Sequence, residues 1–323
     1  MQIEQQQITF TAREMAELVS TTEEVELGPT QIAGHTVASL VSAGTELNGS
    51  YLADSFPKRP GYATVFKVEH IGSAVEDVSV GELRFCMGNH KSFQVTEAKN
   101  SLPVPEGLDP AVATYARLMG VTMTTLVTTT ARPPDVVVVT GLGPVGNLGA
   151  QNFTTNGYSV IGCDPDDQRR ELASRLGIGE TVAHVADASR AGDVALLIDC
   201  SGHEAAILDG AKVVRQLGEV VCVGAPWARR SERFAHDLHH TIFFNYITVR
   251  SGWEWEIPRH PDDFRHRSIW GNLATALQWL NEGRVRVNGL GLRTTPTAAQ
   301  DAYQSLLHQK CECPTVLFDW GAL

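Results

Sequence analysis

Three glycines and an acid carry the clearest chemistry in the chain. Gly141-Leu142-Gly143-Pro144-Val145-Gly146 spaces its glycines as GxGxxG, directly after the apolar run DVVVVT. Asp164 lies 23 positions beyond Gly141, at the end of a second apolar run, YSVIGCD. A strand, a glycine turn, a helix, a strand and an acid in that order are what a dinucleotide site needs. Gly141 permits a tight turn, Gly143 removes a side chain where a pyrophosphate approaches, and Gly146 lets the helix pack closely on the strand. The helix opening at Pro144 and Val145 offers free N–H groups and a partial positive charge to phosphate. A carboxylate at Asp164 accepts hydrogen bonds from both ribose hydroxyls, each charged bond contributing about 1.5–3 kcal/mol. It would repel a 2′-phosphate, so the expected cofactor is NAD. Arg169 and Arg170 follow on the next helix. Arg169 is read as lining the adenine side, with a plain solvated arginine as the alternative. A methyltransferase-like nucleoside site uses a similar turn and acid, but GLGPVG matches the dinucleotide form.

These groups need a scaffold, and the sequence supplies one. From residue 135 short β-branched runs alternate with helical segments: DVVVVT, then the glycine turn and helix, YSVIGCD, the charged helix PDDQRRELASRLG, VALLIDCSG, a helix over 203–216, GEVVCVGAP and ITVRSG. Runs apolar on both faces suit buried parallel strands, and this alternation predicts a doubly wound parallel sheet. Ligands lie outside the carboxyl ends of such strands, so Cys200, Ser201, Val223, Gly224 and Ser251 are expected to border the cofactor. The first hundred residues read instead as short strands separated by Gly, Pro and polar pairs. A turn-rich connector at 102–110 precedes two helical segments in AVATYARLMGVTMTTLVTTT. The tail offers two amphipathic helices, IWGNLATALQWLNEGRV and AAQDAYQSLLHQ, and a closing strand, PTVLFDW. His239-His240 reads as a solvated turn ahead of an apolar strand.

The bulk numbers set limits. The chain has 323 residues, enough for about two domains. Hydrophobic residues make up 43% and charged residues 20%, as in an ordinary folded protein, and the formal net charge is −11. That balance argues against a nucleic-acid partner, which calls for a basic surface. No basic stretch followed by an apolar run opens the chain, and no apolar run is long enough to span a membrane. Six cysteines sit mostly in apolar runs, and Cys311-x-Cys313 has no second pair to complete a zinc site. A reducing, cytoplasmic setting is expected.

The order of parts resembles the medium-chain dehydrogenase/reductase superfamily, which holds zinc alcohol and polyol dehydrogenases and zinc-free quinone reductases. The resemblance rests on GLGPVG…CDPDDQRRELASRLG, DCSG, GEVVCVG and PTVLFDW. It implies an α/β protein with a Rossmann domain (119–255) inserted into a β-rich GroES-like catalytic domain (1–118 and 256–323). It also implies an active site in the cleft between them and a homodimer. The chemistry departs from the zinc members. Their Cys-Gly-[Ser/Thr]-Asp segment is Ala43-Gly44-Thr45-Glu46 here, and their Gly-His-Glu is Gly61-Tyr62-Ala63. The four-cysteine lobe is absent, GELRFCMGNHKSFQV running across that region. Ala and Tyr cannot replace Cys and His as zinc ligands, so a zinc-free member is expected.

Without zinc a side-chain donor must stabilise the developing alkoxide. Thr45 matches the proton-relay hydroxyl of the zinc enzymes, or is a turn-capping threonine. Glu46 matches a structural carboxylate that could orient Tyr62 or hold a sugar hydroxyl. Tyr62 sits in the vacated ligand slot and could donate to a carbonyl oxygen, or merely fill space. His90, with Lys91 beside it, is a candidate general acid/base, though a lone histidine is more often incidental. The segment SGWEWEIPRHPDDFRHRSIW could wall a substrate pocket or form a surface loop. The expected function is zinc-independent, NAD-dependent hydride transfer to or from a secondary alcohol of the sugar or polyol kind, with a small-molecule substrate. The alternatives are a quinone or enone reductase, a non-catalytic NAD-binding protein, or an enzyme that oxidises its substrate only transiently.

Overall fold

A computed structural model describes residues 1–321. The chain forms two compact units. One comprises residues 1–117, 274–282 and 289–323, and the other residues 118–273 and 283–288. The second division falls inside the helix Ile269–Asn281, so residues 256–273 cluster with the Rossmann unit rather than with the flanking unit named from sequence.

The second unit is built on a six-stranded, all-parallel sheet of Val136–Thr140, Ser159–Cys163, Glu180–Val182, Val194–Asp199, Val214–Cys222 and Thr248–Ser251. Numbered along the chain, the strands lie in the order 3-2-1-4-5-6. Strands 1 and 4 are neighbours, and the connections run away from them on opposite sides, which creates the crevice where such sheets bind ligands. The strand Val136–Thr140 shows why its sequence is apolar without alternation. Val137 and Val139 pack with Phe153 and Tyr158 on one face, and Val136 and Val138 pack with Val194, Ala211 and Val220 on the other. Side chains alternate across a strand, so a strand covered on both sides must be apolar at every position. The outer strand Glu180–Val182 is half-buried and too short for a sequence signal. The helix after Cys200 spans Glu204–Val213, and Val214 already belongs to the next strand, so the expectation of a helix to 216 is corrected. His239 and His240 lie within the helix Ala235–Asn245 rather than in a turn. Their polar neighbours suggest a loop, but the helix needs only one partly buried stripe, supplied by Leu238, Thr241 and Ile242.

The first unit centres on the strand Gln31–Leu40. It pairs antiparallel with Thr64–Lys67, His70–Ile71, Phe93–Glu97 and Thr315–Asp319, within an eight-stranded sheet. A hairpin of Gln2–Ala12 and Met15–Glu24 turns at Glu14, whose φ is +61°. The core beside it gathers Phe10, Tyr51, Tyr303 and Phe318 from both ends of the chain. Among the described residues no helix is long and apolar enough to cross a membrane.

Candidate functional site

The glycine turn occupies the carboxyl end of Val136–Thr140 and opens the helix Pro144–Thr155. Each glycine meets a different constraint. Gly141 holds φ at +80°, where L side chains are strained, and an added Cβ would lie 2.8 Å from the Ser201 nitrogen. A Cβ on Gly146 would fall 1.8 Å from the Gly141 oxygen, so only hydrogen lets the helix seat on the turn. A Cβ on Gly143 would meet nothing within 4 Å. Its φ of −61° suits any residue, so neither packing nor backbone demands glycine there. No side chain caps the helix start, and Pro144 fills the first turn. The first-turn N–H groups and the open space at Gly143 together fit an incoming pyrophosphate.

Asp164 follows the strand Ser159–Cys163 and is 2% exposed. Its Oδ2 accepts from the Leu142 amide in the glycine turn at 2.7 Å, and its Oδ1 accepts from the Asp166 amide at 2.9 Å. Arg169 Nη1 lies 3.4 Å from Oδ2, and Arg170 donates to the Asp164 carbonyl at 2.7 Å. The carboxylate therefore fixes the turn as well as standing beside it. The spacing in sequence gives no hint of this second task.

The remaining rim residues converge on Asp199, which sequence reasoning passes over as part of DCSG. Asp199 is fully buried. Its Oδ1 accepts from the hydroxyls of Thr140 at 2.8 Å and Ser201 at 2.5 Å, and its Oδ2 from the Gly202 amide at 2.9 Å. Its carbonyl accepts from the Val223 and Gly224 amides at 2.8 and 2.7 Å. Cys200 donates its amide to the Thr140 carbonyl, and burial, with Asp199 alongside, pushes its thiol well above the usual range. Ser251 ends the last strand in register with Cys222, and its hydroxyl accepts from the Trp253 amide. The structure thus brings Gly141, Gly143, Pro144, Val145, Gly146, Asp164, Arg169, Cys200, Ser201, Val223, Gly224 and Ser251 to the carboxyl ends of one sheet. Trp253 and Trp255 of the aromatic segment are exposed, with the Arg259 guanidinium 5.5 Å from the Trp255 ring centre.

In the first unit the four candidates for proton chemistry separate into two layers. Tyr62 is half-buried, and its hydroxyl donates to the Ser42 hydroxyl and lies 3.4 Å from that of Thr45, which is exposed. The guanidinium of Arg117 sits 4.7 Å from the centre of the Tyr62 ring. Burial raises the Tyr62 phenol above its ordinary range. Arg117 and the Ser42 and Thr45 hydroxyls pull the other way without cancelling it, and Glu46 adds to the rise. Beneath lies a buried network. His90 has no exposed surface. Its Nδ1 is 2.8 Å from the Ser39 hydroxyl and its Nε2 is 3.1 Å from Glu46. Glu46 also accepts from the Tyr303 hydroxyl at 2.6 Å and from the Ser42 amide at 2.7 Å. Glu46 and His90 are buried and bonded to one another, and through the Ser42 amide they hold the turn that carries Ser42 and Thr45. Lys91 is half-buried, and burial lowers its ammonium below the usual range. Sequence reasoning missed Ser42, signalled only by its place ahead of AGTE, and Arg117, which had no signal at all.

A family model described as zinc-binding dehydrogenase matches residues 144–265. The L-threonine 3-dehydrogenase of Pyrococcus abyssi is 26% identical over 280 residues, covering 80% of this chain and 73% of the relative. Galactitol-1-phosphate dehydrogenase from Escherichia coli has a similar structure, with a TM-score of 0.82 at 14% identity over 97% of this chain and 99% of that one. L-idonate 5-dehydrogenase from the same organism gives a TM-score of 0.82 at 16% identity over 99% of both chains.

The donors around Tyr62 do not fit a zinc ion. Zinc takes thiolate, imidazole or carboxylate ligands, usually four in a tetrahedron. Among the described residues no group of three or more His, Cys, Asp or Glu is placed to hold a metal. Around Tyr62 stand hydroxyls and a guanidinium instead.

Proposed function

For a chain that belongs to the alcohol-dehydrogenase-like medium-chain dehydrogenase/reductase superfamily, we propose zinc-independent, NAD-dependent hydride transfer between a secondary alcohol and its ketone, the alcohol being of the sugar or polyol kind. The observation that carries this reading is the Asp164 carboxylate, fixed on the Leu142 amide beside the open space at Gly143. It sets an acceptor for ribose hydroxyls next to a place where phosphate meets no side chain.

The residues of the second unit would hold NAD: the glycine turn and helix start the pyrophosphate, Asp164 the ribose, and Ser201, Val223, Gly224 and Ser251 the rim. When bound, the nicotinamide supplies or accepts the hydride. The proton is the protein's task. A phenol is protonated at neutral pH, and burial raises that of Tyr62 further above its ordinary range. In the reducing direction it donates that proton to the oxygen of the developing alkoxide. Ser42 and Thr45, acceptors at rest, can turn their hydroxyls to donate to the phenolate left behind. Thr45 is exposed and exchanges its proton with water. Glu46 and His90 act one step removed, by anchoring the Ser42 amide.

Purified protein tests this directly. NAD or NADP is supplied with sugars, polyols, short alcohols, threonine or quinones, and absorbance is followed at 340 nm while bound metal is measured. The reading expects NADH formation with a secondary alcohol and well under one zinc per chain. Stoichiometric zinc, or tight NAD binding with no turnover on any alcohol, contradicts it.

A further inference from the structure

We propose that Arg117 is the positioning residue of the proton-transfer site, stacking its cation on the Tyr62 ring and so stabilising the phenolate that forms when Tyr62 gives up its proton. The inference rests on the reading of Tyr62 as proton donor. Arg117 is the second residue of the helix Ala116–Thr128 and is 5% exposed. Its guanidinium lies 4.7 Å from the ring centre, within the range where a cation is drawn to the face of an aromatic ring. A phenol presents only a quadrupole to that cation. A phenolate spreads a full negative charge into the same ring, so the attraction grows at the moment the proton leaves. This is stabilisation of a charge that exists only during reaction, supplied by a group already in place.

The step balances simply. As hydride reaches the carbonyl carbon, the Tyr62 O–H bond breaks, the new O–H bond forms on the substrate oxygen, and the electron pair stays on Tyr62. A proton from water, relayed through the exposed Thr45 hydroxyl as that hydroxyl gives up its own, then restores the phenol. The Ser42 and Thr45 hydroxyls meet its oxygen, Arg117 covers its ring, and Glu46 acts from beneath with opposite sign. Arginine suits the task because its planar cation stacks on a ring and stays charged at every accessible pH.

The test places a fluorinated tyrosine at position 62, which brings phenol titration into a pH range where the protein stays folded, and follows it by fluorine NMR. Arg117→Met should raise the titration midpoint by about one unit or more, the usual effect of losing an opposite charge at 4–6 Å. Arg117→Lys keeps the charge and should move it less. An unchanged midpoint in Arg117→Met, or equal shifts in both variants, overturns the proposal, the second because packing rather than charge would then be responsible. The measurement needs no substrate. Failure of the underlying reading shows separately, as full turnover in Tyr62→Phe despite an intact charge effect on the titration.

Discussion

Gly143→Ala should separate nucleotide binding from folding. In the free protein the new methyl meets nothing within 4 Å, and φ of −61° suits alanine. Removing a glycine also lowers the entropy of the unfolded chain, so the variant should be more stable by about 0.4–1 kcal/mol. For a domain of this size that raises Tm by about 1–4 °C. With nucleotide the sign reverses. The methyl stands where pyrophosphate must approach the first-turn amides, and a phosphate bond held beyond about 3.5 Å is no longer a hydrogen bond. Each lost bond to a charged acceptor costs about 1.5–3 kcal/mol, a factor of about 10–150 in Kd. Differential scanning calorimetry of the free protein and calorimetric titration with NAD read the two effects separately. Gly146→Ala supplies the contrast. Its methyl would lie 1.8 Å from the Gly141 oxygen, so it should lower Tm by itself. If Gly143→Ala binds NAD as tightly as the parent protein, the open space is not a phosphate site and the cofactor reading fails.

Asp164→Ala should weaken NAD by about 10²–10⁴-fold through two lost ribose bonds while changing NADP much less; an unaltered NAD-to-NADP ratio in fluorescence titration removes the ribose argument. The same variant strands the buried Leu142 amide, which costs about 1–3 kcal/mol and shows as a lower Tm without ligand. His90→Ala leaves Glu46 short of one buried partner, so a loss of about 1–3 kcal/mol of stability is expected in denaturant melts, and unaltered stability would contradict the anchoring role. Burial pushes the thiols of Cys86 and Cys163 up to about 12. Groups raised on folding hold their full stabilisation below the unfolded value near 8.5 and lose it as pH rises toward the folded one. Stability should therefore fall between about pH 9 and 12, by about 1.4 kcal/mol per unit for each thiol. Urea melts across that window check the slope, and Cys86→Ala should remove one thiol's share of it. Ketone reduction should hold through neutral pH and decline as the raised Tyr62 phenol ionises, while alcohol oxidation should increase over the same alkaline range.

Local chemistry made half of this protein legible. Strand, glycine turn and helix are contiguous, and the acid follows one strand later, so backbone sterics and hydrophobic period decide their geometry within about thirty residues. A five-residue β-branched run followed at once by a glycine turn is too short for a helix and reads as an interior strand, which the packing on both faces matches. The Glu46 network joins residues far apart in the chain, and no period encodes such contacts. Glu46 meets His90 across 44 positions and Tyr303 across 257. That pairing is set by how the strand Gln31–Leu40 gathers its neighbours. Folding decided that His90 is a buried brace rather than an exposed base, because the sheet leaves it no surface and both ring nitrogens find partners. It also decided that Arg117, unremarkable in the sequence, lies against the ring of Tyr62. Charge and spacing along a chain set which groups can ionise or turn. Only packing sets which of them meet, since burial and proximity belong to the folded surface and not to any segment of it.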